Sequence, residues 1–529
     1  MRMVSSKKRR RTVPRHYGTA TTGRFVVRLA VTIMVVGTTS RQRQGRQGVV
    51  DAFAVGSPRG VMVHQHRQTI LMQKQTRSQH QMWQLGMVKS QGRDNDHSTT
   101  ASNEQNAPQG SVVGASLLFA GTAIGAGMLA LPAETAACGF VPSVSSLAFC
   151  WCFTFVTSLV TLEASWTVSR RDESTGSGGF LSITQTTLGP IAEGVTALLF
   201  WVLLTSIVTA YTSEGGELIS EFVHNSAPTS AATGGLSPTV GSALFMAFFA
   251  SLDFFGTERV DLVNRVLVTG LVATFLSLLG IGLPQVDSGL LERADWAVVY
   301  PDVISVGILS LGAQNVVPTL LKYLGGDAQR TKQAVLLGSL LPLVMYTLWE
   351  AVFLGIVPYD PTGSKMEIVS ALGTTSGTIV QELVKVFSAC AIGSSMAGAS
   401  VSLVDFFEDA LANLGVKDET DPEEESSGLG KRLVAASLAL GPPLGIACVY
   451  PDAFLGLLEN VGLLGGVSLY GVLPALALIQ LRKGSPLNGD NELMPGRLIG
   501  GTPALFALVG VSTVLVLSDV AELGRGLLR

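Results

Sequence analysis

From about residue 111 onward, long apolar runs alternate with short polar connections. Eleven such segments can be marked, near 111–137, 141–166, 190–212, 240–256, 262–283, 300–322, 333–357, 380–404, 432–450, 454–480 and 502–520, of which the fourth and eleventh are the weakest. A helix needs about 20 mostly apolar residues to cross a bilayer core. The pattern therefore predicts an all-α polytopic membrane protein with about 11 transmembrane helices, in a domain spanning 111–529.

Two segments do not read as continuous helices. The first contains Gly121-Thr-Ala-Ile-Gly-Ala-Gly-Met-Leu-Ala-Leu-Pro132, with Gly121, Gly125 and Gly127 inside seven residues. Each glycine costs about 1 kcal/mol against alanine in a helix interior. The sixth reads Ser310-Leu-Gly-Ala-Gln-Asn-Val-Val-Pro318, with two amides, Gln314 and Asn315, at mid-membrane depth. Irregular backbone at that depth is tolerated only where protein buries it or it lines a watery cavity. Small residues also let helices pack closely, but two interruptions in corresponding places fit packing less well. Broken helices in the first and sixth positions are the pointer to five-plus-five inverted repeats with a binding site between them.

Composition agrees with the class and divides the chain. Hydrophobic residues make up 47% and charged residues 14%, where soluble proteins carry roughly 25% charge. Residues 1–110 hold 18 of the 36 basic residues and only four acids, which leaves 18 basic and 35 acidic residues for the rest. The first 50 residues contain no acid, and Lys7-Lys-Arg-Arg-Arg11 is followed by the short apolar run 29–37. A basic region, a short hydrophobic region and an acid-poor, Arg- and Thr-rich composition combine signal-peptide and transit-peptide features. The stretch 1–110 is expected to be a targeting leader and disordered basic tail, and Ala52-Phe-Ala54 is similar to a plastid-leader cleavage motif. A merely disordered cytosolic tail is the alternative. In the membrane domain, basic residues gather in alternate connections, which by the positive-inside rule puts the N-terminus on the cytoplasmic-type (or stromal) side and the C-terminus opposite. The acidic loop 418–425 falls on the N-terminal side and reads as a solvated connector.

The five cysteines form no CxxC pair, and five of the six histidines precede residue 100. No metal cluster, nucleophile motif or phosphate loop stands out in the membrane domain, so neither an enzyme nor a cofactor or nucleic-acid partner is expected.

With both interrupted segments in view, the chain resembles the tryptophan/tyrosine permease family within the amino acid/auxin permease superfamily. The likeness rests on Gly121–Pro132 with Gly139-Phe140, on Asn315-Val-Val-Pro-Thr-Leu-Leu-Lys-Tyr323 and on Leu348-Trp-Glu-Ala-Val-Phe-Leu-Gly355. Leu403-Val-Asp-Phe-Phe407, Tyr450-Pro-Asp452 and Leu473-Pro-Ala475 also look similar, and residues 1–110 lie outside the likeness. The resemblance implies a LeuT-like fold and secondary active uptake of an aromatic amino acid, tyrosine or tryptophan, coupled to protons rather than sodium. One departure is clear: where the family often has a Gly-Phe-His-Gly-like centre, this chain has Gly312-Ala-Gln-Asn315. A non-transporting amino-acid sensor on the same scaffold, a sodium-coupled carrier of another neutral amino acid, and a pore remain alternatives.

An amino acid needs partners for its carboxylate, its ammonium and its side chain. The amides of Ala126, Gly127 and Met128 after Gly125 would start a half-helix whose positive end suits the carboxylate. Carbonyls near Thr122, Ala123, Leu311 and Gly312 would accept from the ammonium, with Gln314 and Asn315 adding polar contacts. Side-chain recognition is expected from Trp201, Thr205, Ser206, Ser394 and Ser395 at the same depth, a packed ring being the plainer role for Trp201. Proton coupling needs a carboxylate within a span, for which Glu350, then Glu134 and Glu459, are the candidates. Glu163, Asp253 and Asp405 are read as anchors near the inner ends.

Overall fold

The computed structural model describes residues 110–171, 179–226, 236–255, 257–360, 372, 377–413, 426–450, 457–458, 461–483 and 500–528. The stretch expected to be a targeting leader lies outside the described residues except for Gly110, as do the 418–425 loop and Glu459. Every regular element among the described residues is helical.

The first apolar segment consists of α1 (Val112–Ala123) and α2 (Gly127–Thr135), bent 54° from one another. After them come α3 (Phe140–Arg171), the short α4 (Phe180–Leu188), α5 (Pro190–Ser226), α6 (Pro238–Phe255) and α7 (Thr257–Gly282). The sixth segment holds α8 (Asp302–Ser310), a 3-10 turn at Gln314–Val316 and α9 (Val317–Tyr323). The remainder is α10 (Ala328–Ile356), α11 (Thr378–Asn413), α12 (Ser426–Val449), a π-helical stretch at Gly462–Val472 running into α13 (Leu473–Lys483), and α14 (Thr502–Leu528).

Nine helices among the described residues are long and apolar enough to cross a membrane, and the bent pair α1–α2 brings the number to ten. That falls short of the eleven expected. The expected fourth segment corresponds to α6, whose apolar stretch Pro238–Phe254 is too short to qualify. Its run is bounded by Pro238 and by the charge of Asp253. Pro190 and Pro238 begin α5 and α6, where a missing N–H and a fixed φ suit the first helical position.

Burial sorts the helices into a centre and a periphery. The apolar window of Asp302–Tyr323 is 72% buried inside the protein, whereas that of Thr502–Ala521 is 22% buried. Both are apolar, so the difference is what each faces: protein for the first, the apolar surround for the second. Every residue of α2 from Met128 to Thr135 is buried, in one core shared with α3, α8, α10 and α11. A second core joins α5, α6, α11 and α12 through Val208, Met246, Met396 and Leu440.

Two polar contacts, one buried and one part-buried, tie helix ends together. Arg482 at the end of α13 donates from both Nε and Nη2 to Glu163 Oε1 on α3, at 2.9 and 2.6 Å. Arg293, in the connection between α7 and α8, donates to the carbonyls of Ala136 and Ala137 at 2.7 and 2.6 Å, covering the C-terminal end of α2. A cation at that negative end is favourable. Gly139 closes the following turn at φ +85°, and a Cβ there would meet the Arg293 carbonyl at 2.1 Å, so both conformation and space require glycine.

Candidate functional site

At the first interruption the chain leaves the helix at Ile124, whose backbone is extended, and re-enters it at Gly127. The helix ends this creates leave backbone donors and acceptors without intrahelical partners, and neighbouring helices supply them. Ala126 N–H donates to Ser395 Oγ of α11 at 2.9 Å, and the Tyr211 hydroxyl of α5 is hydrogen-bonded to the same serine. A Cβ on Gly125 would lie 2.2 Å from Ser395 Oγ, and one on Gly127 would lie 2.3 Å from Ser310 Oγ. These two glycines therefore let α11 and α8 approach the break.

The other contacts come from one face of α10. Tyr346, Trp349 and Glu350 stand at i, i+3 and i+4, the spacing of a single helix face, and all three are fully buried. The Tyr346 hydroxyl reaches the Ala123 carbonyl at 2.6 Å and the Ser310 carbonyl at 3.2 Å. One phenol thus joins the last carbonyls of α1 and α8, the points where both interrupted segments lose their helix. It has a single hydrogen for two acceptors. One turn on, Trp349 Nε1 donates to the Met128 carbonyl at 2.9 Å, its ring packed against Phe387 at 5.0 Å between centroids. Glu350 Oε2 then accepts from Thr135 Oγ1 at 2.5 Å and from Ser143 Oγ at 3.1 Å, while Oε1 has no hydrogen-bond partner. The face of α10 thereby reaches the end of α1 through Tyr346, the start of α2 through Trp349 and the end of α2 through Glu350.

The sixth interruption is lined differently. Ala313 leaves helical geometry at φ −139°, and the Gln314–Val316 turn follows. Gln314 is 0% exposed; its Nε2 donates to Thr157 Oγ1 of α3 at 3.0 Å, and its Oε1 has no hydrogen-bond partner. Asn315, the next residue, is exposed.

These contacts bring together the main-chain atoms of Ala123, Gly125, Ala126, Gly127 and Met128 with Ser310, Tyr346 and Ser395. They also leave Ala126 N–H occupied by Ser395, and Met128 N–H turned onto the Gly125 carbonyl at 3.1 Å. Other expected residues stand apart from the cluster. Thr122 is exposed and its hydroxyl bonds back to Leu118 O. The Ser394 hydroxyl donates within its own helix to Ala391 O at 3.1 Å, so the neighbouring serine makes the contact. Thr205 and Ser206 are buried, the Thr205 hydroxyl lacking a hydrogen-bond partner, and Trp201 packs against the core between α5 and α12. Gly312 lies in the sixth interruption, its amide bonded to Leu309 O at 3.2 Å. Glu134 is buried on α2 beside Thr135. Tyr346, Ser310, Thr135 and Ser143 join the cluster without having been expected as site residues. A stripe of polar-tipped side chains at 346, 349 and 350, in an otherwise apolar helix, was the available signal.

A profile of the tryptophan/tyrosine permease family matches residues 109–517, most of the chain and all of its helical region up to α14. The chain belongs to the tryptophan/tyrosine permease family. It is a multi-pass membrane permease and not an enzyme. Among its relatives, the tyrosine-specific transport system 1 of Haemophilus influenzae is 27% identical over 417 residues, covering 77% of this permease and 95% of the relative. The tryptophan-specific transport protein of Pseudomonas aeruginosa is 29% identical over 435 residues, covering 77% and 94%. The glutamine transporter 2 of Aliivibrio fischeri is 24% identical over 415 residues, covering 77% and 98%. The matched span begins at residue 109, just before α1.

Proposed function

We propose that this permease is a proton-coupled symporter of tyrosine or tryptophan, with its site between the two interrupted segments of a LeuT-like inverted repeat. The observation that carries the reading is the Tyr346 hydroxyl set between the Ala123 and Ser310 carbonyls. In the proposed site, Ser395 Oγ occupies the position of a substrate carboxylate oxygen: it accepts from Ala126 N–H at the positive end of α2. The substrate ammonium takes the acceptor capacity that one phenolic hydrogen leaves on the Ala123 and Ser310 carbonyls. Gln314 Oε1 accepts from a side chain that carries its own donor, the phenol of tyrosine or the indole N–H of tryptophan.

Glu350 is the proposed proton carrier. It is a fully buried carboxyl with a free oxygen, joined through Thr135 to the far end of α2. Protonation there changes the hold on the half-helix that contacts substrate at its other end. The names of the tyrosine- and tryptophan-specific relatives support the aromatic substrate. The glutamine transporter relative, together with Gln314 and Asn315 in the sixth interruption, supports a second reading, a polar neutral amino acid.

The test is uptake of labelled tyrosine, tryptophan and glutamine into vesicles holding the purified protein. An inward acid gradient should drive accumulation of an aromatic amino acid, and Glu350→Gln should abolish the acid-driven part while leaving exchange of bound substrate. Uptake indifferent to both proton and sodium gradients would sink the symport claim, and glutamine outcompeting both aromatics would favour the second reading. We further propose that residues 1–110 direct the permease to a plastid envelope with the N-terminus stromal. A fluorescent fusion of that stretch tests the address.

A further inference from the structure

Away from the interrupted segments, α6 and α12 enclose a groove of about 400 Å³, floored by Val404 of α11. Small side chains hollow it out: Ala243, Ala247 and Ala250 on α6, Ala436 and Gly441 on α12. From Ala243 to Asp253 the wall rises by ten residue steps, about 15 Å at 1.5 Å per residue. That is about half of a 30 Å hydrocarbon core, the depth of one leaflet. The groove opens on the periphery of the bundle, since the apolar window of α12 is only 28% buried and Leu433 on its wall is 47% exposed.

Its charges sit at one end only. Asp253 lies two residues before the end of α6, and Arg432 begins the apolar window of α12, so both stand where a headgroup meets hydrocarbon. Asp253 is 2% exposed and neither of its carboxylate oxygens has a hydrogen-bond partner. Ser400 of α11 is the neutral hydroxyl that acts on it, and that hydroxyl also lies 3.5 Å from the Ala397 carbonyl, so among the described residues no cation is bonded to the carboxylate. Among the described residues, the charges acting on Asp253 are Arg432 and Asp405. Arg432 Nε stands 3.8 Å from Glu408 Oε1 and makes no hydrogen bond. A buried carboxylate without a partner is costly unless a cation meets it, and three acids around one guanidinium disfavour a purely anionic occupant.

We infer that this groove binds a zwitterionic phospholipid, its ammonium on Asp253, its phosphate at Arg432 and one acyl chain between α6 and α12. An acyl chain alone would need neither charge, and the apolar length would be unused by a small soluble amine.

The test uses the purified full chain in detergent, titrated with phosphatidylethanolamine or phosphatidylcholine against phosphatidylglycerol of the same acyl chains, with melting temperature and native mass spectrometry as readouts. The zwitterionic lipids should half-saturate at about a tenfold lower concentration, as expected for one charge-assisted contact. Asp253→Asn should erase that preference. Ala250→Phe, which fills the groove without touching the charges, should abolish the lipid-dependent shift while the lipid-free protein melts as the wild type does. Equal responses to zwitterionic and anionic lipid, a preference that survives Asp253→Asn, or a shift that survives Ala250→Phe would each overturn the inference.

Discussion

The two interruptions are built from opposite materials. At the first, the chain contributes main-chain atoms and glycines, and side chains of other helices complete it: Ser395 on an amide, Tyr346 and Trp349 on carbonyls. At the sixth, the chain contributes a buried side chain of its own, Gln314, held by Thr157 of α3. A lining of main-chain groups is the same whatever side chains surround it, and it suits the carboxylate and ammonium common to all amino acids. A lining that includes a side chain changes with one substitution, and it suits the part that differs between substrates. Tyr346 belongs to both linings, which makes it the hinge of the comparison.

The largest effect is expected where the first interruption has no room. Gly125→Leu puts its Cβ onto Ser395 Oγ, forces that hydroxyl off Ala126 N–H and adds a branched side chain to a fully packed break. Overpacking of this kind costs about 1–3 kcal/mol before any site geometry is counted. Labelled uptake should fall to background while the variant still reaches the membrane at wild-type amount; uptake within a few fold of wild type would remove the first interruption from the site. Next in size is Tyr346→Phe, which keeps the ring and removes the shared hydroxyl. Leaving a buried acceptor unmet costs about 1–3 kcal/mol, so transport should drop about tenfold or more for every substrate alike. A loss confined to one substrate would move Tyr346 from the common lining to the selective one.

The membrane class and ten of the helical segments were legible in the apolar runs, because a span of about 20 residues is a long signal that one residue cannot hide. The fourth segment is the exception, since its apolar stretch in α6, Pro238–Phe254, is too short to count as a span among the described residues. Gly125 and Gly127 pointed to the first interruption directly, through the helix cost of glycine. What the sequence did not display was the partner side of each contact. Ser395, Ser310 and Tyr346 are 269, 183 and 223 positions from the residues they meet at the break, and only the packing of α8, α10 and α11 around α2 brings them there. Periodicity within α10 carried half of that information: 346, 349 and 350 share a face, and a face bearing a hydroxyl, an indole N–H and a carboxyl needs acceptors and donors opposite it.

The sixth interruption offers the finer test, because Gln314 and Asn315 are adjacent amides with opposite surroundings. Gln314→Leu keeps the volume but removes the donor to Thr157 and the free acceptor. A site that hydrogen-bonds a substrate donor rejects an analogue lacking it. The ratio of tyrosine to phenylalanine uptake should therefore fall about tenfold in this variant, with maximal rate changed much less. Asn315 is exposed, and substitutions at such positions usually stay within about 0.5 kcal/mol. Asn315→Ala should leave both rate and selectivity within about twofold of wild type, measured in the same competition assay. Selectivity that moves with Asn315 and not with Gln314 would mean that the sixth interruption presents its other amide to substrate, and the division between common and selective linings would have to be redrawn around the outward-facing residue.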